Sequence, residues 1–158
     1  MSYSSQVWAQ HANFRSRRIL TLQKTSLRLL TFSDYNSPSS TLFLSLKILS
    51  FFDFIKYQNI LLVYNLLNRK MPSPLCDTFN LSSLTVNARL NHFPTRVKSG
   101  ILQLPRVSTV HFGNYSIRYQ SVLSWNLVQN FLDVDDLSTL SLDRLKYLVR
   151  FYFLSLYY

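Results

Sequence analysis

Phe51-Phe52-Asp53-Phe54-Ile55-Lys56-Tyr57-Gln58-Asn59-Ile60-Leu61-Leu62-Val63-Tyr64-Asn65-Leu66-Leu67-Asn68 is the longest stretch of the chain that reads as one element. Between Ile60 and Leu67 apolar residues surround nearly the whole helical circumference, as they do in a helix buried on all sides. Ser50 can cap its start. Arg69 and Lys70 suit its carbonyl end, and Met71-Pro72-Ser73-Pro74 stops it. This helix belongs at the centre of whatever core exists, and the fold class that follows is mainly α.

Working outward, Leu42 to Leu49 reads as a short helix, preceded by the Ser/Pro loop Ser33 to Ser40, where Pro38 disfavours helix before it. Phe14 to Phe32 is patterned as an amphipathic helix. At 100° per residue, Ile19, Leu20, Leu22, Leu27, Leu29 and Leu30 share one half of its surface, and Arg17, Lys24 and Arg28 line the other. From Leu75 to Val107 the chain is polar and broken by Pro94 and Pro105, which predicts loop. Val107 to Phe112, a Gly113-Asn114 turn and Tyr115 to Tyr119 alternate like a short β-hairpin. Val122 to Leu132 and Ser141 to Leu156 close the chain as two helices, the last with an apolar stripe of Leu142, Leu145, Leu148, Val149, Tyr152 and Leu156. The expected organisation is one module over 1–158: a helical part at 14–70 with a basic first helix, an irregular part at 71–106, and a hairpin plus two helices at 107–158.

Composition narrows the partners. With 158 residues, 47% of them hydrophobic, the chain can bury one modest core. It carries 17 Lys and Arg against seven Asp and no Glu, a formal charge of +10, which favours polyanionic partners. Leu42 to Leu67 is interrupted by Lys47, Asp53 and Lys56, whereas a membrane span needs about 20 apolar residues with few charges. The single Cys76 and the absence of a signal-like apolar run at the N-terminus point to an intracellular setting, nucleus or cytoplasm.

Enzyme chemistry finds little support. Asp133-Val134-Asp135-Asp136 is the only acidic cluster, and acids just ahead of a helix are ordinary because the helix N-terminus favours negative charge. His11, His92, His111 and Cys76 lack the paired spacings of a zinc site. With glycine only at Gly100 and Gly113, a glycine-rich phosphate loop or dinucleotide fingerprint is excluded. No catalytic residue, metal, cofactor or small-molecule substrate is therefore expected. What remains is basic and aromatic interleaving. Arg15, Arg17, Arg18, Lys24 and Arg28 give this helix five positive residues and no acid between them, with Arg17, Lys24 and Arg28 in line, a pattern suited to RNA or DNA phosphates. Arg96, Arg118 and Tyr119 form a second candidate patch, where aromatic rings beside cations could stack bases. A cationic amphipathic helix on an anionic membrane surface, or a protein-interaction helix, would share the first pattern.

The same residues carry a resemblance. Leu22-Gln23-Lys24, Leu27-Arg28 and Thr31-Phe32, then Leu46-Lys47-Ile48-Leu49 and Asp53-Phe54-Ile55, resemble the region just past the polymerase core in reverse transcriptases of jockey-like non-LTR retrotransposons. Pro72-Ser73, Thr95-Arg96, Leu104-Pro105, Thr109, Gly113, Ser116-Ile117-Arg118-Tyr119, Trp125-Asn126 and Leu142-Asp143-Arg144-Leu145-Lys146 continue it in order, from about Val7 to Leu154. Each motif is short, and the order over the whole chain is what carries weight. The resemblance implies a non-catalytic tail fragment of an RNA-directed DNA polymerase, which in the intact protein follows the thumb and helps hold template RNA or target DNA. The polymerase core of such a protein is the further partner implied. The aromatic-x-Asp-Asp hairpin and the upstream Asp on which the family's activity rests are absent, and Asp135-Asp136 cannot stand in, because Asp133 occupies the place of the aromatic and the segment lies in the tail's last loop. Ser121-Val122 replaces the family's Gly-Pro, and Pro94 falls in its extended Asn-Tyr-Asn-Thr-Arg stretch. Both departures suit a degenerate copy without selected function.

Overall fold

The computed structural model describes residues 14–79, 101–109, 113–132 and 136–158, apart from the side chains of Phe14, Arg15 and Thr78. Six α-helices are found among them: α1 (Phe14–Leu30), α2 (Ser39–Ser45), α3 (Phe51–Leu67), α4 (Ser73–Phe79), α5 (Ile117–Phe131) and α6 (Leu142–Ser155), with a 3-10 turn at Leu137–Thr139. The mainly α class is the one observed.

α3 is the central helix. Ser50 caps it by accepting a hydrogen bond from the Asp53 backbone N–H, and Ile60, Val63, Tyr64 and Leu66 are buried. It packs most extensively on α5, with α6 and the 3-10 turn beside it. Trp125, Val122 and Val128 of α5, Leu137, and Leu145, Val149 and Phe153 of α6 complete one apolar cluster. Polar side chains tie the connections onto this frame. Asn126 accepts from the Leu102 N–H (2.9 Å) and donates to the Leu102 carbonyl (2.7 Å), Gln129 accepts from Leu137 N–H (3.1 Å), and the Tyr64 hydroxyl donates to the Leu140 carbonyl (2.8 Å). Backbone groups that would otherwise be buried unpaired are satisfied in this way.

Three helices end alike. Ser33, Ile48 and Lys70 donate back to the carbonyls of Arg28, Phe43 and Asn65, with Phe32, Lys47 and Arg69 left-handed at φ 50°, 53° and 51°. These are Schellman closures, in which glycine is the usual left-handed residue. With two glycines in 158 residues, this chain closes α1, α2 and α3 on larger side chains.

Two expectations need correction. No β-hairpin is seen among the described residues: Tyr115 sits in a turn, and Ser116 caps α5 by accepting from Tyr119 N–H, so Ile117 to Tyr119 is helical. Residues 110–112 of the expected first strand lie outside the described residues. Alternation over Tyr115, Ile117 and Tyr119 spans too few residues to outweigh the apolar face Val122, Trp125, Val128, whose burial requires helical spacing. The expected irregular stretch 71–106 also contains a helix, α4. α3 has already closed on Arg69, and Pro72 and Pro74 do not prevent a new start, since proline fits the first turn, where the N–H has no intrahelical partner. Phe79 then anchors α4 in the main core. Residues 80–100 of that stretch lie outside the described residues.

Candidate nucleic-acid interface and adjoining groove

α1 buries Ser16, Leu20 in part, and Leu27, while Gln23 between them bonds the chain across from it. Gln23 Nε2 donates to the Leu49 carbonyl and its Oε1 accepts from Phe51 N–H, both at 2.9 Å. Leu20 and Ile19 pack on Phe51 and Ile55, and Leu27 on Leu42 and Phe43. The buried line Ser16, Leu20, Gln23, Leu27 is rotated by roughly 60° from the leucine stripe read from the sequence, at 100° per residue. The clamp made by Gln23 fixes that rotation. Consequently Leu22, Leu29 and Leu30 are mostly exposed.

The rotation also sorts the cations. Arg17 and Arg18 are exposed, and Lys24 and Arg28 are half-buried. The Arg28 guanidinium donates to the Ser37 carbonyl (3.2 Å) and lies over the Tyr35 ring (5.6 Å), so it holds the loop after α1. Arg15 belongs to α1, but its side chain is outside the description. Of the second patch, Arg96 lies outside the described residues. Arg118 and Tyr119 are half-buried in the first turn of α5, and the Arg118 Nε is buried without a hydrogen-bond partner. α1 contains no acidic residue, and the ion pairs seen among the described residues are Lys56 with Asp53 (3.6 Å) and Lys146 with Asp143 (3.8 Å).

Asp53 and Asp136 do local structural work. Asp53 Oδ2 accepts from the Ser50 hydroxyl and from the Tyr157 hydroxyl, each at 2.6 Å, and the Tyr157 oxygen accepts from Ser50 N–H (2.8 Å). Burial, reinforced by the bond to Asp53, pushes the Tyr157 phenol up to about 12. Asp136 accepts from Ser138 N–H (2.8 Å) at the start of the 3-10 turn. Asp133 and Asp135 lie outside the described residues. Among those described, no three His, Cys, Asp or Glu side chains come together as a metal would require, and no helix is long and apolar enough to cross a membrane.

Beside α1 an open groove of about 690 Å³ runs between it, the Ile48-Leu49 link, α3 and α6. Ile19, Leu22, Ile48, Leu49, Phe51 and Phe54 give it apolar walls, and Arg150 also lines it, donating to the Lys47 carbonyl (2.7 Å). Tyr57 lines it as well; burial raises its pKa and the nearby Arg150 opposes the rise. Nothing in the sequence periodicity marked this groove, because its walls come from three separated segments.

No protein family, curated protein or solved structure matches this chain.

Proposed function

We propose that this chain is a non-catalytic helical tail fragment of a retroelement RNA-directed DNA polymerase of the jockey-like non-LTR kind, acting inside the cell. In this reading α1 lays its cations on the phosphates of template RNA or target DNA. The observation that carries it is the pair Arg17 and Arg18, both exposed on a helix that has no acidic residue, in a chain of net charge +10. The ordered run of motifs that resembles that family's post-thumb region is a second support. Phosphate contacts of this type give affinity without choice of sequence.

The test is binding of the purified chain to single-stranded RNA and to duplex DNA of mixed sequence at low salt. The proposal expects both to bind, and Arg17→Gln/Arg18→Gln to weaken both by a similar factor. Folded, monodisperse protein that binds neither would overturn it.

A second reading, a decayed copy whose helices once packed on a polymerase, is favoured by the apolar side of α1 that lies open. Leu29, Leu30 and Phe32 are 71%, 70% and 96% exposed. It expects the isolated chain to aggregate as its concentration rises, and a monodisperse chain would count against it.

A further inference from the structure

The groove beside α1 is concave, and two of its polar lining residues, Gln23 and Arg150, are bonded within the chain, which leaves the Ser26 and Tyr57 hydroxyls as the other polar groups of its lining. Gln23 spends both ends of its amide on the Leu49 carbonyl and Phe51 N–H, and the Arg150 guanidinium reaches the Lys47 carbonyl. The rest of the lining is apolar, with Leu22 60% and Ile48 37% exposed at its lips. Around those lips the charges have one sign. Arg150 lines it and donates to the backbone carbonyl of Lys47, whose own side chain is exposed next to Ile48; Arg18 is exposed one turn before Leu22 on α1, and no acidic residue lines the groove.

We infer that this groove seats the apolar face of an acidic amphipathic helix from another protein. A helix presents apolar anchors at i, i+3 or i+4 and i+7, and an apolar trough is the surface that receives them. Glutamates or aspartates flanking those anchors would meet Arg18, Lys47 and Arg150, which raises the encounter rate and sets orientation. A lipid surface fits less well, because interfacial helices enter a bilayer with a protruding apolar face rather than a concave one. A second copy fits less well too. Each copy carries +10, and α1 has no acid while α6 has Asp143 alone, so neither helix could answer the cationic lips. Nucleic acid is disfavoured by the apolar walls. The groove is independent of Arg17, which lies on a different side of α1.

The test uses the full chain and a fluorescein-labelled model peptide with leucines at i, i+4, i+7 and i+11 and glutamates flanking them. A control peptide has the same composition with the leucines scattered around the helix. Fluorescence anisotropy should show the patterned peptide binding about tenfold or more tighter than the control, the equivalent of ~1.4 kcal/mol. Leu22→Gln, at a position already mostly exposed, should remove that advantage, and Arg150→Gln should reduce its dependence on salt. Arg17→Gln should leave peptide binding unchanged while weakening RNA binding, which separates this site from the phosphate-binding face. Equal binding of the two peptides, or an advantage that survives Leu22→Gln, would overturn the inference. So would tighter binding to phosphatidylserine vesicles, or a concentration-dependent dimer, that Leu22→Gln abolishes.

Discussion

Trp125 and Leu22 are both large apolar residues on amphipathic helices, yet the first is wholly buried and the second is 60% exposed. Around Trp125, α3, α5 and α6 and the 3-10 turn supply apolar atoms from every side, and amide side chains such as Asn126 and Gln129 pair the backbone of the connecting segments. Along α1 one narrow line of residues is packed, at a helical rotation set by the two hydrogen bonds of Gln23. The difference teaches that the core region specifies the fold, while α1 is attached to it and keeps most of its perimeter available for partners.

The sharpest way to break that comparison is to truncate both residues. Trp125→Ala should cost ~3–5 kcal/mol of stability, the range for emptying an aromatic site in a packed core. Leu22→Ala should stay within ~0.5 kcal/mol, as exposed substitutions do. Urea denaturation followed by circular dichroism gives both values, and similar costs would mean that α1 is part of the core.

Smaller effects sharpen the picture at the junctions. A Cβ added at Gly113 would meet the Val107 Cβ at 2.5 Å, so Gly113→Ala should destabilise by about 1–3 kcal/mol through overpacking. In a Val107→Gly background, which removes the Cβ that is met, the cost of Gly113→Ala should shrink in the same denaturation assay, and an unchanged cost would place the strain elsewhere. Tyr157→Phe removes one donor and one acceptor from the Ser50 and Asp53 cluster, a loss of about 1 kcal/mol. It has a pH signature as well. The folded phenol titrates at about 12, above its ordinary value of 10.0, so its contribution is whole below pH 10 and lost as the pH rises through 12. Absorbance titration should show a late tyrosine in the wild type that is missing in Tyr157→Phe.

The arginines of α1 should divide in two. Arg28→Gln should lower stability, by under about 1 kcal/mol, because it releases the Ser37 carbonyl and the Tyr35 ring. Arg17→Gln/Arg18→Gln should leave the melting temperature unchanged, since both side chains are exposed. A melting curve for each variant decides between these roles.

Much of the fold was legible in the sequence. α3 could be read because apolar residues on every side leave no other solution for Ile60 to Leu67, and α6 because Leu145, Val149 and Tyr152 recur at helical spacing. Tyr115 to Tyr119 misled because five residues cannot distinguish alternation from the first turn of a helix whose apolar face begins further on. α4 was hidden by prolines that also serve as helix starters. On α1 the helix and its charges were legible, and its rotation was not. Counting leucines could not foresee that a polar residue, Gln23, would occupy the buried line because the backbone at Leu49 and Phe51 needed partners. That choice pulled Arg28 onto the loop and left Arg17 and Arg18 outside.

The central claim is that exposed α1 cations bind nucleic-acid phosphates, and the salt dependence of binding tests it most directly. Affinity for duplex DNA and single-stranded RNA should be measured across a series of salt concentrations for the wild type and Arg17→Gln/Arg18→Gln. Log affinity should fall linearly with log salt, and the double substitution should flatten the slope by about 1.8 on duplex and about 1.4 on single strands, the share of two phosphate contacts. An identical slope for the two proteins, or no binding by a folded wild type at low salt, would contradict the account.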